Sequence, residues 1–190
     1  GVFKGCTGLV SADLSKDTSA TLYDETFADC VNLKTVNLKT AKITTISANA
    51  FKNCRSLVSL CDEEAATENP AATLEKFTEL TRIEANAFEG CVSLKKVKLV
   101  YSGTSTFNVL ASAFKNCSGL TEVTFDGNIK VSGSNVFAGC EKLQRIAQAN
   151  ADKAKYIVID EKGFLYIKSE STTKKTTTYK LHYVPAAGYT

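Results

Sequence analysis

Cysteine is the residue in this chain with the most chemical scope. Seven occur, and six sit in near-identical heptads: FKGCTGL (3–9), FADCVNL (27–33), FKNCRSL (51–57), FEGCVSL (88–94), FKNCSGL (114–120) and FAGCEKL (137–143). A thiol at this spacing has four uses: metal ligand, disulfide half, nucleophile or core residue. Zinc needs four ligands converging on one point, whereas a repeated position generates a line of thiols. A nucleophile needs a base, and any Cys–His or Ser–His pair would have to be built from the single histidine, His182. Disulfides are the better rival. Equivalent residues of stacked strands lie about 4.8 Å apart, inside the Cα window for a bridge. Their side chains point in parallel, however, leaving Cβ atoms about 5 Å apart where a bridge wants about 3.8 Å. A reduced ladder of buried thiols, each acting as a small hydrophobe, is therefore expected at Cys6, Cys30, Cys54, Cys91, Cys117 and Cys140.

No other constellation points to catalysis. The sequence lacks G-x-S-x-G, a P-loop, G-x-G-x-x-G and H-E-x-x-H. Its densest carboxylate run, Asp62-Glu63-Glu64, lacks the alternating ligand spacing of a calcium loop. No enzyme activity, cofactor or metal is expected. Net charge is +3, and all of the excess falls in residues 151–190, with no basic run or clustered aromatics to suggest nucleic acid. No stretch approaches the roughly 20 apolar residues of a membrane-spanning helix. The chain opens at Gly1 and holds no Met, which reads as a trimmed product, so a missing leader says nothing about export.

The heptads are parts of a longer unit. Their phenylalanines are spaced by 24, 24, 37, 26 and 23 residues, a period in the range of solenoid repeats. After each heptad leucine an apolar residue recurs three on and often two beyond, as in Leu33, Val36, Leu38 and Leu94, Val97, Leu99. That alternation predicts a strand with one buried face. A second apolar stretch precedes the next Phe, as in ITTISANAF (43–51) and LTRIEANAF (80–88), and predicts a shorter second strand. Phe and Cys, three apart, are expected to share the inner face of a helical turn.

The composite F-x-x-C-x-x-L-x-x-[VIL]-x-L followed by I-x-x-x-A-F, over roughly residues 3–146, resembles the leucine-rich repeat variant of BspA-like bacterial surface proteins. One departure from ordinary leucine-rich repeats stands out: the Cys precedes the strand instead of following it. The resemblance implies an α/β solenoid, a curved right-handed stack with a parallel β-sheet on one face and short helical turns on the other. It also implies extracellular or cell-surface placement and adhesion to host proteins or other cells.

Two segments break the rhythm. The third unit is longer by 13 residues, with its surplus near 61–79, where Asn69 before Pro70 predicts the start of an inserted helix carrying Leu74 and Phe77. The C-terminus reads as a β-meander: YIVID and FLYIK flank a Lys-Gly turn, and TTTYKLHYVP (176–185) adds a third strand. We therefore expect a solenoid of about six units over 1–150 and a capping meander over 151–190, as a monomer.

Binding is expected on the outward residues of the stacked strands: Thr35, Asn37 and Lys39; Cys61 and Glu63; Lys96 and Lys98; Glu122, Thr124 and Asp126; and Arg145. Cys61 is expected to be the one solvent-reachable thiol, beside Asn37 and Lys98. The face mixes charge signs, and only Tyr101 and Arg145 approach the anchors typical of an interface centre. The expected function is a non-enzymatic interaction or adhesion module with a host or other cell-surface protein as partner. The alternative is a structural spacer of a larger surface protein, with no binding of its own.

Overall fold

Alternating apolar and polar residues make each repeat contribute two short strands, joined by turns whose Phe and Cys point inward. The computed structural model describes residues 1–19, 21–38, 41–60, 71–73, 80–150, 155–171 and 173–184, with backbone alone at 71–73. Fourteen strands are described: β1 (Ser11–Asp13), β2 (Thr21–Leu22), β3 (Thr35–Asn37), β4 (Thr45–Ile46), β5 (Ala71–Thr73), β6 (Arg82–Ile83), β7 (Lys96–Tyr101), β8 (Phe107–Val109), β9 (Glu122–Gly127), β10 (Ile129–Val131), β11 (Arg145–Gln148), β12 (Ile157–Ile159), β13 (Leu165–Ser171) and β14 (Thr176–Tyr183).

The strands after each heptad stack in parallel. β1 pairs with β3, and β5, β7, β9 and β11 form a four-stranded sheet. The second strands form a five-stranded parallel sheet in the order β10-β8-β6-β4-β2. Apart from β5, both match the two strand positions that the sequence pattern predicts. The result is a parallel β-solenoid of leucine-rich repeat type with an antiparallel sheet, β12-β13-β14, at its C-terminal end.

Between the sheets the phenylalanines form one column. Rings of Phe3, Phe27, Phe51, Phe88, Phe114 and Phe137 stack at centroid distances of 5.2 to 5.8 Å, with interplanar angles no larger than 12°. Offset stacking of this kind adds to the gain from burial, which is about 1.5–3 kcal/mol for each Phe. Tyr183 ends the column, meeting Phe137 edge-on at 5.7 Å. Ile157 and Leu165 of the antiparallel sheet join the same core.

The turns carrying Phe and Cys are not helical, contrary to expectation; no helix occurs among the described residues. Each is a chain of i→i+3 turns, such as Cys54 N–H to Phe51 O at 3.1 Å, interrupted by left-handed residues four apart. The pairs are Glu25 and Asp29, Asn49 and Asn53, Asn86 and Gly90, Ser112 and Asn116, Asn135 and Gly139, all with φ between 55° and 76°. A positive φ at every fourth residue stops helical hydrogen bonding from propagating. It frees the amides two before, at and two after each Phe to reach the next repeat. Glu25, Phe27 and Asp29 donate to the carbonyls of Ala48, Ala50 and Lys52 at 3.1, 2.8 and 2.8 Å. The three-bond pattern recurs for each repeat through Ser112, Phe114 and Asn116, which donate to Ser134, Val136 and Ala138.

The inserted third unit also departs from expectation. Where a helix was predicted to start at Pro70, residues Ala71–Thr73 form β5, pairing in parallel with Lys96–Lys98. Leu74 and Phe77 lie outside the described residues. The long unit thus meets its two neighbours with different segments: Ser59 bridges Thr35 on one side, and β5 serves β7 on the other. An open edge of β7 rewards any segment that completes its hydrogen bonds, and that gain outweighs the local capping signal of Asn69 and Pro70.

Candidate functional site

The outward face follows directly from strand register. Lys96, Glu122 and Arg145 are consecutive partners across β7, β9 and β11, as are Lys98, Thr124 and Ala147. Along β7 and β9 residues alternate strictly between partly exposed and buried, so these side chains share one surface. Their charges are largely satisfied among themselves. Glu122 holds Lys96 Nζ at 3.3 Å and Arg145 Nη1 at 2.6 Å, and Asp126 accepts from Asn150 Nδ2 at 2.6 Å.

Other residues of the expected site lie differently. Asp13 and Asn37 are in register on β1 and β3, but Thr35, between Ser11 and the Ser59 bridge, is buried. Lys39, Cys61 and Glu63 lie outside the described residues. The backbone partner of Lys98 is Thr73, so the place beside Lys98 expected for Cys61 is taken by the inserted strand. Tyr101 is no anchor for a partner. It is the third inward residue of β7, 6% exposed, with its hydroxyl against Ser105 Oγ and its ring 6.1 Å from Phe107. Among the described residues the exposed tyrosines are Tyr23 and Tyr179, which lie off this face.

The described cysteines are all unbridged. Five are buried in a ladder, and each thiol donates backward to the carbonyl of the preceding heptad Phe. Cys30, Cys54, Cys91, Cys117 and Cys140 reach Phe3, Phe27, Phe51, Phe88 and Phe114 at 2.9 to 3.1 Å. Cys6 differs: it is exposed, because among the described residues no repeat packs on its outer side. Burial, and next the Cys30 thiol, pushes the Cys54 thiol up to about 12. Burial also raises Cys91 well above its ordinary value, and contact with Cys140 together with burial does so for Cys117. Such thiols are neutral at physiological pH and poor nucleophiles. No cluster of His, Cys, Asp and Glu suited to a metal occurs among the described residues, and no helix there is long and apolar enough to cross a membrane.

His182 lies where the solenoid meets the C-terminal sheet. It lines a cleft of about 520 Å³ with Lys130, Ser132, Ser134, Asn135 and Lys180. A second cleft of about 710 Å³ shares Lys130 and Ile167 with the first and adds Lys155, Tyr156, Lys168 and Glu170. Sequence reasoning missed this place, because its walls come from segments some fifty residues apart and only packing brings them together.

The model of the BspA type leucine rich repeat region matches residues 1–68 and 71–180 in six copies. Among solved structures, a leucine-rich repeat protein from Bacteroides ovatus is 23% identical, with a TM-score of 0.57, over 76% of this chain and 32% of its own. A leucine rich cell surface protein from Faecalibacterium prausnitzii is 20% identical, with a TM-score of 0.53, over 93% of this chain and 46% of its own. The chain thus spans less than half the length of either, and at these identities the likeness is one of fold. No curated protein matches.

Proposed function

The chain belongs to the BspA type leucine rich repeat family, and from that premise we propose that it is a non-enzymatic interaction module at a cell surface. Its partner is a protein of another cell or of a host, held on the outward strand face. The observation that carries this reading is the in-register row Lys96–Glu122–Arg145, flanked by Lys98 and Thr124. Parallel strands fix these groups at a repeating spacing, so a complementary surface meets them with little ordering cost. Cell-surface placement is supported by the family and by the likeness to the F. prausnitzii cell surface protein.

A second reading, a spacer with no binding of its own, is favoured by one observation. Glu122 already pairs with both Lys96 and Arg145, which leaves the row a single net positive charge to attract a partner. An array of immobilised extracellular-matrix and cell-surface proteins separates the two. The chain is compared with a K96E/E122K/R145E variant, which inverts every charge of the row yet keeps its internal pairing. The interaction module binds at least one protein, and the inverted row weakens that binding about tenfold or more. Binding to none supports the spacer, and binding untouched by inversion removes this face as the site.

A further inference from the structure

The antiparallel sheet ends in a strand that stands clear of the molecule. Among the described residues β14 is the outer strand of the order β12-β13-β14, while β12 lies against β10 and β11 of the solenoid. The sheet therefore has room to grow on the β14 side. Six consecutive residues of β14, Thr176 to Leu181, are exposed, so solvent reaches both faces of the strand. They include two large apolar side chains, Tyr179 at 57% and Leu181 at 49% exposure.

Register shows which backbone groups this edge offers. Lys168 donates its amide to Tyr156 O at 2.8 Å, on the β12 side of β13. Opposite residues of an antiparallel pair exchange both hydrogen bonds or neither. Lys168 directs its bonds to β12, so Tyr179, opposite it on β14, forms a non-hydrogen-bonded pair with it. The N–H and C=O of Tyr179 thus point outward, and those of Thr177 and Leu181, two residues either way, do the same. The side chains of these three share one face, on which Leu181 extends the row Val158–Tyr166 across the sheet. Outward peptide groups beside exposed apolar side chains are the combination that edge strands usually avoid. Neither proline nor bulge interrupts Thr176 to Leu181, since the one shift of register lies between Leu165 and Tyr166. Lys180, the one charged residue of the six, points to the opposite face.

We propose that β14 is a dimer interface, in place of the monomer expected from the sequence. A second copy of this chain adds its own β14 in antiparallel register, about a two-fold axis at Tyr179. Tyr179 then faces its own counterpart, Thr177 faces Leu181 of the second copy, and Lys180 faces Thr178 of the second copy. No like charges stand opposite each other, and Tyr179 and Leu181 of both copies form one apolar cluster. A second copy fits better than a foreign peptide because the two-fold closes both edges at once and stops growth at two. The interface is separate from the outward strand face, with which the antiparallel sheet shares no strand.

The test is sedimentation equilibrium of the intact chain at concentrations up to about 1 mM, with amide hydrogen exchange followed by NMR. The parent chain should dimerise, and dimerisation should slow exchange at Thr177, Tyr179 and Leu181. Thr178 and Lys180, whose amides point to β13, serve as internal controls. Y179K and Y179E each set like charges across the axis and should weaken the dimer about tenfold or more, whereas an equal mixture of the two should restore it. That rescue separates pairing at Tyr179 from damage to the fold. The K96E/E122K/R145E variant should dimerise as the parent does, which keeps this interface's failure distinct from that of the strand face. A peptide of alternating Thr and Val tests the other occupant. A parent chain that stays monomeric overturns the proposal, and protection of the three amides by the peptide would then assign the edge to foreign strands. A dimer that both charged variants keep, or that their mixture fails to restore, overturns it as well.

Discussion

Cys54 and Phe27 are tied in opposite directions along the stack. The Cys54 thiol donates backward to the Phe27 carbonyl at 3.0 Å, while the Phe27 amide donates forward to Ala50 at 2.8 Å. The thiol thus gives the phenylalanine carbonyl a partner from the next repeat, alongside the turn bond from the Cys30 amide at 3.1 Å. Cysteine suits the place because it is small enough for a ladder, apolar enough for a core and still a weak donor.

Truncating the ring column should cost most in its middle. Phe88 has stacked neighbours on both sides, and Phe88→Ala should lose about 3–5 kcal/mol in urea unfolding. Phe3, with one ring neighbour described and only partial burial, should lose clearly less on the same change. Equal losses would show that the column does not act as a stack.

Native thiol labelling should separate the cysteines cleanly. Cys6 is exposed and should react at the rate of a free thiol, whereas Cys30, Cys54, Cys91, Cys117 and Cys140 should wait for unfolding. Peptide mapping after a short pulse of reagent gives the answer. Rapid modification at any of those five would contradict the buried ladder.

Alkali should destabilise the fold through the same ladder. The Cys54 thiol is held at about 12, against 9.0 as its ordinary value. Between those values the unfolded chain releases a proton that the native chain keeps. Stability is therefore intact below about pH 9 and falls as pH rises toward about 12, by about 1.4 kcal/mol per pH unit for each such thiol. Cys54→Ala should flatten the slope by one thiol's share when unfolding is followed across that range. An unchanged slope would mean that Cys54 ionises as readily in the native chain as in the unfolded one.

The left-handed positions should discriminate among small substitutions. Asn53 has φ 59° and donates its side-chain amide to Asp29 Oδ1 at 2.8 Å. Asn53→Ala loses that bond and strains the backbone, at a cost of about 1–2 kcal/mol for the conformation and about 1 kcal/mol for the bond. Asn53→Gly loses only the bond and should fall between Ala and the parent. Glycine and alanine of equal effect would remove backbone conformation as the reason for Asn53.

The solenoid, its two strand positions and the terminal meander were legible because each rests on local alternation repeated several times. The turn geometry was misread as helical, although half of its signal stands in the sequence. Position two after the heptad Phe is Gly, Asp or Asn in all six copies, the residue types that tolerate positive φ. The matching position two before the Phe includes Glu25 and Ser112, which hides half of the signal. Strand β5 was not legible, because the open edge of β7 decides its conformation over a local helix start. Tyr101 was misplaced by its own composition signal, since β7 runs two residues longer than the strand pattern suggested and carries it inward. The cleft at the junction belongs to the end of the stack, and a repeat pattern describes interiors.

The forward-pointing amides have an electrical consequence. Peptide units aligned along one axis add their dipoles of about 3.5 D head to tail, as they do in a helix. Three per repeat, all with the N–H toward the C-terminus, give the column of turns a lengthwise polarity whose positive pole falls at Asn135, Phe137 and Gly139, whereas amides beside the strands, such as those of Lys34, Ser47 and Ser56, point back. Adding or removing whole repeats leaves the sign of that pole unchanged, so relatives of any length that keep these turns present the same polarity to whatever follows their last repeat.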